Sequence, residues 1–157
     1  MGILDKIFGN NNRSEEENKW AIFLNLCNQI SSLDGVFSEE EAQFSQIFLS
    51  KYASNFSNSD WDRICANAES MGQSALDKAK NLNESDKYEL ISYLSGVAAS
   101  DGKFDGKEYA WILVLSITIG LEQDKVFNIL SNFDIDYDEA TEQMSEMLEK
   151  MKNAGLM

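Results

Sequence analysis

The octapeptide Asp34-Gly-Val-Phe-Ser-Glu-Glu-Glu41 returns 67 residues later as Asp101-Gly-Lys-Phe-Asp-Gly-Lys-Glu108. Both read D-G-x-F-x-x-x-E, and the match spreads outward at helical spacing. Upstream, Phe23, Leu26 and Ile30 correspond to Leu90, Tyr93 and Val97. Downstream, Phe44, Ile47 and Phe48 correspond to Trp111, Val114 and Leu115. Apolar residues at i, i+3, i+4 and i+7 mark one face of a helix, so each unit reads as helix, turn, helix. Two units with the same core pattern are expected to pack face to face. The expected fold is all-α, with about seven helices and two helix–turn–helix repeats, over about 20–52 and 87–119, related by an approximate two-fold axis.

The rest of the chain supports that class. Trp61, Ile64, Cys65, Ala68 and Met71 form another stripe, with a capping box expected at Ser59-Asp-Trp-Asp62. A short apolar run covers residues 126–130, and Met144, Met147, Leu148 and Met151 share one face of a last helix that Gly155 ends. Trp111 reads as a core residue where the two units meet. No strand-like alternation persists, and the sequence has no Pro to break a helix. In the opening Met1-Gly-Ile-Leu-Asp-Lys-Ile-Phe8, the residues Ile3, Leu4, Ile7 and Phe8 share a face, and Gly9-Asn10-Asn11-Asn12 is expected to break that helix. The division expected is a short amphipathic helix and flexible linker over 1–17, then one helical domain over 18–157.

Composition removes several classes of function. The 157 residues carry 27 Asp and Glu against 13 Lys and Arg, a net charge of −14, with no His and two Cys. Nucleophilic sites built on His are excluded, as are zinc sites that need imidazole or more thiolates than the chain owns. The charge opposes phosphate backbones, so no nucleic acid is expected as partner. No apolar run approaches the roughly 18 residues of a membrane span, and the start shows neither a signal-peptide nor a myristoylation pattern. A cytoplasmic location follows, with membrane association expected only through residues 1–8. Cys27 and Cys65 read as small buried hydrophobes. Asp134-Ile-Asp-Tyr-Asp-Glu139 opens like an EF-hand loop, but has Glu139 where Gly is required and Ser145 where the bidentate Glu should stand. Nothing in the chain marks a nucleophile, a phosphate loop or a cofactor motif, so no enzyme is expected.

Local physics accounts for most of the repeated octapeptide. Gly35 and Gly102 occupy the position that ends a helix. Ser38 and Asp105 are N-cap residues with Glu41 and Glu108 three positions on, and Phe37 and Phe104 precede each cap as staples toward Ala42 and Tyr109. Capping leaves Asp34 and Asp101 unexplained, since an acid near a helix C-terminus faces the negative end of the macrodipole. Two readings remain open. An Asx-turn places Asp there for its own backbone amides. Alternatively, Asp34, Glu39, Glu40 and Glu41 in one turn and Asp101, Asp105 and Glu108 in the other supply hard oxygen ligands for Ca²⁺ or Mg²⁺.

Ala99-Ser-Asp-Gly-Lys-Phe-Asp-Gly-Lys-Glu108 resembles the second signature of the tellurite-resistance TerB family, and Leu33-Asp-Gly-Val-Phe-Ser-Glu-Glu-Glu41 resembles the first. The similarity covers residues from about 18 to 131. The module is also similar to the N-terminal cytoplasmic region of membrane-anchored DnaJ-like proteins. The resemblance implies an all-helical, acidic, non-catalytic module that binds divalent cations (Ca²⁺, Mg²⁺ or Mn²⁺) and a protein partner in a bacterial tellurite, chemical or phage stress response. By position it implies Asp34 and Glu41 as ligands in the first unit and Asp101, Asp105 and Glu108 in the second. Ser38 stands where the second turn has Asp105, so the two turns are not equivalent. Residues 1–80 hold 12 acids and 7 bases, and residues 81–157 hold 15 and 6. The second turn is therefore the stronger expected cation site. The competing expectation is a metal-independent adaptor whose acidic face and N-terminal helix recruit a protein or membrane-associated partner.

Overall fold

Between residues 20 and 31 a single helix is buried on nearly every side, and the other helices are arranged around it. The computed structural model describes residues 3–34, 56–100 and 104–133 (side chains from residue 15 to 33 in the first stretch) and isolated residues within 39–48 and 142–155. The first helix, α1, spans Ile3–Ser31 and runs into a 3₁₀ turn, Ser32–Asp34. Then come α2 (Asn58–Met71), a 3₁₀ turn at Gly72–Ser74, α3 (Ala75–Lys80), α4 (Glu84–Ala99), α5 (Gly106–Thr118) and α6 (Gln123–Leu130). No strand occurs among the described residues. Helix α1 packs on α2, α3 and α4, while α4, α5 and α6 pack on one another.

The core joins Trp20, Phe23, Leu26 and Ile30 of α1 to Ile64, Ala68 and Met71 of α2 and to Leu90, Tyr93, Leu94 and Val97 of α4. Each large apolar side chain so buried is worth about 1.5–3 kcal/mol, so this cluster outweighs any single cap or ion pair. At its centre Phe23 stacks on Tyr93 with ring centroids 5.8 Å apart, and Phe48 lies 4.8 Å from Tyr93. The Tyr93 hydroxyl is hydrogen-bonded to the Ser45 hydroxyl, which satisfies a polar group that burial would otherwise penalise. The residues matched upstream of the two turns, Phe23 with Leu90, Leu26 with Tyr93 and Ile30 with Val97, are all buried. They bring the leading helices of the two units into one core.

Polar side chains inside this core close helix ends. Gly72 takes a φ of 53° at the end of α2, a left-handed conformation that favours glycine. The buried Asn25 of α1 donates to the carbonyls of Ala68 at 2.8 Å and Gly72 at 3.1 Å, and Gln29 orients it through its Oδ1. Helix α5 ends on Ile119, whose carbonyl accepts from Lys87 Nζ at 2.9 Å. Two otherwise unmatched ends are thereby tied to α1 and α4.

Four expectations are corrected. The break at Gly9–Asn12 does not occur, because α1 is continuous from Ile3. One Gly and three Asn cost roughly 1 kcal/mol or less each, and extending an existing helix avoids the cost of a new nucleus. Secondly, the cap of α2 is Ser57 rather than Ser59: Ser57 Oγ accepts from Asp60 N–H and Asp60 Oδ2 from Ser57 N–H. That register buries Asp60 instead of Asp62. Cys65 is exposed, whereas Cys27 is buried. Ile64, Ala68 and Met71 already fill the face of α2 toward α1, and Cys65 falls outside it. In α5 the buried side is formed by Tyr109, Ile112, Leu113 and Leu115, while Trp111, Val114 and Thr118 are only half-buried. The helix is apolar on most of its circumference, so periodicity alone does not select its inner face.

Helix α1 is also fixed to α4 by charge. Lys19 Nζ lies 2.9 Å from Glu89 Oε1 and 3.2 Å from Asp86 Oδ1, and 4.8 Å above the Trp20 ring. Burial opposes its charge, but hydrogen bonds and attraction from Glu89 and Asp86 outweigh this and raise its pKa above the ordinary 10.5. Burial likewise pushes the Tyr93 hydroxyl well above 10.0. Both groups hold their protons more tightly folded than unfolded. Their stabilisation is whole below about pH 10 and is lost as the pH rises through the folded values. Thermal melts from pH 8 to 11.5 are expected to show that loss, with a shallower slope in Lys19→Met, and equal slopes in both proteins would contradict the role assigned to Lys19.

Candidate functional site: the acidic turn before α5

Phe104 and Asp105 are extended, and the helix begins at Gly106. Asp105, with φ −79° and ψ 166°, is the N-cap: its Oδ1 accepts from Glu108 N–H at 2.9 Å. In return Glu108 Oε1 accepts from Asp105 N–H at 3.4 Å, so two otherwise unmatched amides are satisfied together. On the apolar side Phe104 meets Tyr109 edge to face, with centroids 6.2 Å apart, and Phe133 at 5.9 Å. This is the expected staple, with Phe133 after α6 as a third partner.

The burial of the two acids differs. Asp105 is half-buried, whereas Glu108 is only 2% exposed. A buried carboxylate needs charge-assisted hydrogen bonds, and the positive end of α5 favours an acid in its first turn. The capping exchange engages one oxygen of Asp105, and a carboxylate has two oxygens with about four acceptor positions. A cap and a cation contact at Asp105 are therefore chemically compatible.

Of the five ligands expected from the resemblance, the structure brings Asp105 and Glu108 together at one helix start. Asp34 closes the 3₁₀ turn after α1, at the position where the first turn begins. The side chains of Asp34, Glu41 and Asp101 lie outside the described residues, as does Glu40. Glu39 is exposed on helical backbone. Among the described residues no group of three or more His, Cys, Asp or Glu is placed to hold a metal ion. The residues Asp134–Asp138 of the imperfect EF-hand pattern also fall outside them.

A second buried acid, Asp60, is not among the residues expected from the sequence. Its Oδ1 is hydrogen-bonded to Arg63 Nη2, which also meets Glu17 Oε1 of α1 at 2.8 Å. Its signal in the sequence is Ser57-Asn-Ser-Asp60, an S-x-x-D capping box two residues before Ser59-Asp-Trp-Asp62. For the turn before α5, capping requires an acceptor oxygen and not a charge. Asp105→Ala is expected to lower stability by about 1 kcal/mol, and Asp105→Asn by no more than a few tenths, in denaturant titrations. Equal losses in the two variants would mean that the charge, rather than the cap, holds the turn.

These features define an all-helical module whose second helix pair turns on a reciprocally capped acidic loop. A family model for tellurite resistance protein TerB matches residues 21–130, from the buried half of α1 to the end of α6, and the chain belongs to the TerB family. No curated protein and no solved structure matches it. No helix among the described residues is long and apolar enough to cross a membrane.

Proposed function

We propose that the chain is a non-catalytic module of a bacterial, cytoplasmic response to tellurite or other chemical or phage stress. In this reading it binds a divalent cation at the acidic turn before α5 and couples that state to a protein partner. Membership of the TerB family supports the setting. One observation supports the site: a reciprocal capping exchange holds Asp105 and Glu108 at the start of α5, four and seven residues after Asp101. Hard carboxylate oxygens suit Ca²⁺, Mg²⁺ or Mn²⁺, with Asp101 completing the second site and Asp34 with Glu41 forming a weaker first one. The proposal extends to about seven helices in two units related by an approximate two-fold axis. The matched burial of Phe23, Leu26 and Ile30 with Leu90, Tyr93 and Val97 supports that arrangement.

The same exchange favours a second reading, a metal-independent adaptor in which Asp105 and Glu108 are only caps. Asp105→Asn separates the two, because Asn caps as well as Asp but brings no charge. In calorimetry with Ca²⁺, Mg²⁺ and Mn²⁺, the wild type is expected to bind at micromolar to millimolar concentration and to gain melting temperature. Asp105→Asn and Asp101→Asn should weaken binding at least ten-fold without lowering the metal-free melting temperature. No heat and no shift at millimolar metal would leave the adaptor reading.

A further inference from the structure

Helix α5 is covered more fully than its place in the repeat accounts for. At the 67-residue offset its residues Ala110, Ile112 and Val114 correspond to Gln43, Ser45 and Ile47 of the first unit. Ile112 and Ser45 are both buried, so the two units turn corresponding faces inward. On the other side they differ. Gln43 is exposed and Ile47 is 68% exposed, whereas Ala110 is fully buried and Trp111 and Val114 are half-buried. Ala110 and Val114 each stand about 160° around the helix from Ile112, too far to be covered by the same core. Helix α6 is not the cover there, since its Gln123 meets α5 at the buried Ser116 on the inner side.

We infer that residues 134–157 fold back on this second face of α5, as an amphipathic helix whose methionine stripe packs on Ala110, Trp111 and Val114. Every described position from Glu142 to Asn153 is polar, helical and exposed. At about 100° per residue these positions share one arc of roughly 160°. By the same spacing Met144, Met147, Leu148 and Met151 fall on the opposite arc, an apolar stripe that needs a partner surface. The segment also begins in the right place. Phe133 lies 5.9 Å from Phe104, so the chain leaves α6 beside the start of α5. Exposure on α5 rises to 46% at Ile117, so the cover is closest near the helix start, where the segment sets out. Unbranched Met side chains adapt to an indole and make favourable sulfur–aromatic contacts, which suits the stripe to Trp111. The segment lies beyond the residues 21–130 that match the family model, and it withholds this face of α5 from other molecules. The inference is independent of cation binding at the turn before α5.

Nuclear Overhauser contacts from isotope-labelled methionine methyls, measured on the full chain, test it. Contacts from Met144, Met147 or Met151 to the Trp111 indole and the Val114 methyls are the expected result. Met147→Glu should abolish those contacts and shift the Trp111 indole resonance. Ser145→Glu, which adds the same charge on the exposed arc, should leave both unchanged. Contacts of these methyls with other helices only, or none in the folded wild type, would overturn the inference, as would equal effects of the two variants. Contacts seen only between differently labelled copies would also overturn it, because they place the stripe on a second molecule.

Discussion

One exchange of hydrogen bonds sets the start of α5 in the second half of the molecule. Asp105 and Glu108 each accept from the other's backbone amide, and that exchange fixes where α5 starts and in which direction it leaves the turn. Phe104 is thereby placed against Tyr109 and Phe133, which ties the turn to the end of α6. Burial makes the charge of Glu108 costly, and the Asp105 amide is a donor that offsets part of that cost. Structure and proposed function thus draw on the same carboxylates.

The net charge of −14 takes on a different meaning once the ion pairs are seen. Lys19 lies between Asp86 and Glu89, Arg63 between Glu17 and Asp60, and Lys125 between Glu84 and Glu122. Each of these cations meets two acids. Lys19 and Arg63 reach across from one helix to another and help to orient α1. The exposed pairs add little to stability individually.

Much of this was legible in the sequence, for specific reasons. The second D-G-x-F-x-x-x-E showed the pair of helices α4 and α5, and D-x-x-E spacing with a preceding Phe showed the cap and staple between them. Val126 and Leu130 identified α6, and Leu90, Tyr93 and Val97 the inner face of α4. The face of α5 was not legible, since a helix apolar nearly all round has no dominant stripe. Nor was α3, whose buried residues Ala75 and Ala79 are too small to stand out in a pattern. The near-complete burial of Glu108 and Asp60 was also hidden, because spacing identifies a capping acid but not what later packs over it. Asn25 is a similar case: its value lies in the carbonyls of α2, more than 40 residues away.

The central claim is that the turn before α5 does more than start a helix. An anomalous-difference map from crystals grown with Mn²⁺ tests it most directly, because it locates the ion rather than its effect. A peak within about 2.5 Å of carboxylate oxygens of Asp101, Asp105 or Glu108 is the predicted result. Ordered carboxylates at that turn with no peak among them, at a Mn²⁺ concentration of several millimolar, would contradict it and reduce the turn to its caps.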